Sequence, residues 1–151
     1  MEISEATKQY WKDEDWENLR KASTLADLYT IASRILNQMP QGNIIEVCGP
    51  IGTGGRGSVE ANLAYFNEKI HALQRDGHIV FDQMPFEDSM QRIKKELPVD
   101  AHDLILSEFY LPLLTQGKIA AFYFLPGWET SKGATWEHDL AGRLGIPIHY
   151  L

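Results

Sequence analysis

Residues 44–81 read IIEVCGPIGTGGRGSVEANLAYFNEKIHALQRDGHIVF, and this stretch decides the fold. An apolar run at 44–48 enters a loop that places five glycines among the eleven residues 48–58. A segment with helical spacing follows from Ser58 to Arg75. Gly77 marks its stop, because glycine adopts the left-handed conformation that commonly closes a helix. A second apolar run then occupies 78–81. Strand, glycine loop, helix and strand in that order form a βαβ unit, whose strands pair in parallel through a right-handed crossover.

The alternation continues toward the C-terminus. Residues 86–97 and 101–114 have helical patterns separated by Pro98, and 118–125 form a third strand. Its IAAFYFL run is apolar at consecutive positions, as a strand covered on both faces requires. A last helix over 133–144 stops at Gly145, and 147–151 give a fourth strand. Toward the N-terminus, Tyr10, Trp11, Leu19, Leu25, Leu28, Ile31, Ile35 and Leu36 recur at helical steps. Thr24 and Asp27 form a capping box with Asp in place of the usual Glu, which predicts a break into two helices near Ser23. The expected architecture is an α/β, flavodoxin- or Rossmann-like three-layer sandwich. Its four- to five-stranded parallel sheet occupies residues 41–151, and residues 1–40 are an added N-terminal helical extension. In such sheets ligands sit outside the C-terminal ends of the strands, where connections diverge to the two faces. Three segments should meet there: the glycine loop, the turn from Asp82 to Pro85, and PGWETSKGATWE at 126–137.

With 151 residues, 44% of them hydrophobic, the chain fills one core. A net charge of −7 excludes sequence-independent binding to nucleic acid, which needs many cations to neutralise phosphates. The single Cys48 can form no internal disulfide, the N-terminus lacks a basic and apolar leader, and no apolar run is long enough to span a bilayer. The expected setting is the cytoplasm, without a membrane partner. The expected partners are small molecules or further copies of the chain.

Gly52-x-Gly54-x-x-Gly57 satisfies the dinucleotide fingerprint literally, with Asp82 placed where a ribose-binding acid stands. Yet Gly49-Pro50-Ile51 intervene before its first glycine, and four strands do not supply two mononucleotide-binding halves. A Walker A reading fails because no Lys separates Gly57 from Ser58. The remaining reading is a loop whose N–H groups, helix N-terminus and Arg56 face an anion or a sugar hydroxyl. No cofactor is expected. None of the five histidines has a zinc-ligand spacing, so no metal is expected either. Ser58 has the character of an N-cap rather than a nucleophile.

The segment 126–137 combines Trp128, Trp136, Ser131, Gly133 and Glu137 at the end of a buried strand. Glu137 is expected in the first turn of the last helix, where the macrodipole favours its ionised form. A carboxylate so placed can attack an anomeric carbon or stabilise an oxocarbenium-like transition state. Trp128 or Trp136 can stack on a base.

Together, CGPIGTGGRGSVEANLAYFNEKIHALQRDGHIVF and LPGWETSKGATWEHDLAGRLGIPI resemble the nucleoside 2-deoxyribosyltransferase-like superfamily, over about residues 43–151. The glycine loop also resembles that of the 2′-deoxynucleoside 5′-monophosphate N-glycosidases. The resemblance implies a flavodoxin-like sheet, a homodimer or larger homo-oligomer, and a nucleoside or nucleotide held between the two loops. It also implies an activity, either deoxyribosyl transfer or N-glycoside hydrolysis. The alternative is an inactive nucleotide-binding or sensor module of the same fold. By position, Glu137 matches the catalytic glutamate. Gly49 and Pro50, with Gly52 beside them, match the sugar-side loop, and Arg56 matches a phosphate contact. Ser131 is a second phosphate or ribose contact, and Gly133 and Trp128 complete the expected binding wall. The family's aspartate on the helix before the third strand is replaced by Pro112, which has no proton to give. Glu108, four residues earlier, is the expected substitute acid/base.

Overall fold

The computed structural model describes residues 1–151. Four strands form one all-parallel sheet: β1 Ile44–Cys48, β2 Ile79–Phe81, β3 Ile119–Phe124 and β4 Ile148–Tyr150. Their spatial order is β2-β1-β3-β4. The chain runs outward from β1 to β2 and then crosses back to β3, so the switch point lies between β1 and β3. This is the expected flavodoxin-like sandwich with four strands.

Side chains alternate along β1 and divide the interior in two. Ile45 and Val47 join Val80, Ala121 and Leu125 in a small core, closed by Phe66, Ile70 and Leu73 of α4 Val59–Arg75. Ile44 and Cys48 face the larger core, with Phe81, Phe122 and Phe124 from the other strands. Over that face lie α5 Glu87–Lys94, α6 Ala101–Ile105, α7 Leu111–Leu114 and α8 Lys132–Leu144. Between α6 and α7 the residues Leu106–Tyr110 form a π-helical turn. That wider turn precedes Pro112, whose ring in an ordinary helix clashes with the carbonyl four residues back.

The N-terminal region forms α1 Glu5–Lys8, α2 Asp13–Lys21 and α3 Leu25–Gln38. The capping box at the start of α3 is present: Asp27 N–H donates to Thr24 Oγ1 and Thr24 N–H to Asp27 Oδ2, both at 3.1 Å. Leu25, Leu28, Ile31, Ala32, Ile35 and Leu36 form the buried stripe of α3 and belong to the larger core. Polar ties fix the segment further. Arg34 pairs with buried Asp15, and Arg92 Nη1 donates to Ala22 O at 2.6 Å. These helices cover the sheet's larger face.

No helix is long and apolar enough to cross a membrane.

Candidate functional site

The site forms where β1 and β3 end side by side. Leu125 N–H donates to Cys48 O at 2.9 Å. A Cβ on Gly49 would lie 2.7 Å from Leu125 Cδ1, so only glycine lets the two strand exits approach this closely. Beyond Gly49 the loop folds over Asn62 of α4. Asn62 Nδ2 donates to Ile51 O (3.0 Å) and Gly54 O (3.1 Å), and its Oδ1 accepts from Arg56 N–H (2.7 Å). The second loop meets the first directly. Gly55 N–H donates to Thr130 Oγ1 at 2.9 Å, and Thr130 Oγ1 donates to Gly127 O at 2.7 Å. Lys132 N–H donates to Thr53 Oγ1 at 3.2 Å.

Behind these loops lies a cavity of ≈ 80 Å³. Gly49, Gly52 and Gly133 form its loop wall, and Gln83, Glu87 and Lys94 face it from the turn after β2 and from α5. His102 and Tyr110 reach it from residues 101–110, and Glu137 reaches it from α8. Gly52 also borders an open cleft of ≈ 520 Å³ between the glycine loop and Thr130.

Glu137 is only 7% exposed, and its Oε2 accepts from Cys48 Sγ at 3.3 Å. The helix begins at Lys132, so Glu137 stands in its second turn rather than its first. Its electrostatics are the reverse of the sequence expectation. Burial pushes its pKa up to about 8, opposed by the Cys48 hydrogen bond. Glu87 is 4% exposed, and burial with Asp88 beside it raises its pKa to about 7 against the pull of Gln91 and Lys94. Glu46 lies beneath, fully buried in β1 with neither carboxyl oxygen partnered. Burial, then Glu137, then Asp82 raise its pKa well above the ordinary value. The Tyr110 hydroxyl is also driven upward, by burial and then by Glu87 and Glu137.

Two polar atoms of the cavity residues lack any protein partner: Gln83 Oε1 and His102 Nε2. Gln83 uses its amide nitrogen on Val47 O at 2.9 Å. Burial, then Lys94, lowers the His102 pKa, so the ring is a neutral donor or acceptor. Buried polar atoms of this kind are ordinarily satisfied by a ligand or water.

The sequence-predicted residues therefore separate. Gly49, Gly52, Gly133 and Glu137 come together around the cavity. Pro50 is buried behind the glycine loop, near the point where a Gly55 side chain would fall. Ser131 is buried as the N-cap of α8, accepting from Ala134 N–H at 3.2 Å. Arg56 lies outside the cavity wall, its guanidinium 3.8 Å over the Tyr65 ring. Trp128 is also outside, stacked on His138 with ring centroids 4.2 Å apart. Glu108 is exposed, because the inward stripe of its helix runs through Ile105, Leu106, Phe109 and Tyr110. Asp82 accepts from Thr7 Oγ1 at 2.8 Å and Met84 N–H at 2.9 Å, which fixes it in the fold rather than at a ribose. Three residues missed in the sequence matter here. Glu46 was legible as a lone acid within a central apolar strand. Glu87 and Gln83 carried no signal beyond their place after the second strand.

A parallel α/β domain with a carboxyl-lined cavity at its switch point is the class that fold and site define. Within that class, residues 45–150 match the model of DUF4406, a domain family of unknown function, and the chain belongs to it. No curated protein and no solved structure matches the chain.

Proposed function

We propose that the protein cleaves or transfers the N-glycosidic bond of a nucleoside or nucleotide, acting through Glu137. The observation that carries this reading is the placement of Glu137 in one cavity with the unpartnered Gln83 Oε1 and His102 Nε2, at the C-terminal ends of β1 and β3. The resemblance of both loops to the nucleoside 2-deoxyribosyltransferase-like superfamily supports the same chemistry. Ionised Glu137 attacks C1′ of the sugar or stabilises positive charge there. A carboxyl with a pKa of about 8 is a strong base once ionised, and the ionised form this chemistry needs grows as pH rises toward that value. The sugar fits against the loop wall that Gly49 and Gly52 form. Arg56 turns away from the cavity, and Lys94 is the cation there that a 5′-phosphate would meet.

The test is incubation with a panel of deoxynucleosides and their 5′-monophosphates, reading free base by chromatography. Base release that disappears in Glu137→Ala supports the assignment; turnover unchanged in that variant removes it. A second reading, a nucleotide-binding module without catalysis, is favoured by Pro112 and by the exposure of Glu108. It expects a nucleotide to raise the melting temperature with no product formed.

A further inference from the structure

Glycosidic cleavage leaves one requirement unmet by Glu137. The departing base carries off the electron pair of the C1′–N bond and needs a proton. Neither Pro112 nor the exposed Glu108 can supply it in the cavity. Resting on the glycosidic-bond reading above, we infer that Glu87 is the acid/base partner of Glu137, protonating the leaving base from α5 across the shared cavity.

Three observations carry this. Glu87 is buried, lines the cavity that Glu137 lines, and approaches from a different element, α5 rather than α8. It forms no salt bridge, although Lys94 stands on the same helix. Tyr110 lines the same cavity as both glutamates.

Ionised Glu137 forms a bond to C1′ while the C1′–N bond breaks, and the Glu87 carboxyl proton passes to the base nitrogen. Glu87 is then a carboxylate. It takes a proton from an incoming water or free base, whose attack on C1′ releases the Glu137 carboxylate and restores the starting state. The groups around the pair are Asp88 and Lys94 of α5, His102 and Tyr110 of residues 101–110, and Cys48 and Glu46 of β1. Burial holds Glu137 near 8 and Glu87 near 7. The productive arrangement is then the minor singly protonated form of the pair, about a tenth of it for a one-unit gap. The rate follows a bell around the interval between the two values.

The test compares two substrates: a deoxynucleoside, whose base needs a proton to leave, and 4-nitrophenyl 2-deoxyriboside, whose phenolate leaves as a stable anion. Glu87→Gln should slow base release by about 10²-fold or more while holding nitrophenolate release within roughly tenfold of wild type. Glu87→Asp should recover part of the base release. Cooperative unfolding curves establish that the variants are folded. Equal loss on both substrates, or undiminished base release in Glu87→Gln, overturns the assignment and leaves the Glu137 reading standing. Wild-type protein that releases neither base nor nitrophenolate overturns the glycosidic reading itself, and the role of Glu87 with it.

Discussion

Cys48 Sγ donates to Glu137 Oε2 at 3.3 Å, joining the last residue of β1 to the second turn of α8. Two residues far apart in sequence thereby share one buried pocket of charge, and each alters the other. The thiol opposes the upward push on the Glu137 pKa, while burial, then Glu137, drive the thiol itself upward. Glu46 stands two residues before Cys48 on the same face of the strand and adds to the crowding.

A thiol so buried and so far from ionisation is inert. Iodoacetamide at neutral pH should leave Cys48 unmodified in the native protein and label it fully in denaturant, as read by intact mass. Rapid native labelling contradicts the burial. Cys48→Ala should raise the Glu137 pKa further, because the one hydrogen bond that favours its ionised form is gone. Carboxyl-carbon NMR titration measures that shift.

The buried acids also set a pH dependence of stability. Glu137 binds its proton up to about pH 8 in the folded chain, against an ordinary value of 4.5. Between those values the native state holds more protons than the unfolded one, so stability falls as pH rises through the window. Glu87 adds the same sign up to about 7. Urea denaturation should therefore show a more stable protein at pH 5.5 than at pH 8.5. Glu137→Gln should flatten that slope and stabilise the protein at the alkaline end. A slope that persists unchanged in the variant assigns it to other groups.

Asn62 holds the glycine loop by three hydrogen bonds. At about 1 kcal/mol for each, Asn62→Ala should cost about 2–3 kcal/mol in chemical denaturation. The same change should raise hydrogen exchange across residues 51–56. Loss of stability without faster exchange there contradicts a loop-holding role.

The glycines of the loop are not equivalent. Gly54 has φ +67°, and a Cβ on it would stand 2.3 Å from Thr130 O, whereas Gly52 has nothing within 4 Å. Gly54→Ala should destabilise by about 2 kcal/mol or more, while Gly52→Ala stays within about 0.5 kcal/mol. Because Gly52 borders both the cavity and the cleft, its methyl group should weaken ligand binding without touching stability. Thermal melts with and without nucleoside separate the two effects.

The sequence by itself determined the order of elements, the parallel sheet, the capping box at Thr24 and the meeting of two loops at the switch point. Those features follow from periodicity, glycine placement and local hydrogen bonding, all written in consecutive residues. It also placed Glu137 and Gly49 at the site, because a strand exit is a position along the chain. Only the tertiary structure decided which side chains face the cavity. Arg56 turns to Tyr65, Trp128 to His138 and Glu108 to solvent, each according to how its element packs in the closed fold. The sign of the Glu137 shift belonged to the fold as well. A helix macrodipole acts locally and was expected to favour the carboxylate, but desolvation by surrounding elements is larger and reverses it. Glu46 and Glu87 entered the site for the same reason: burial that brings three acids together is a property of the closed core.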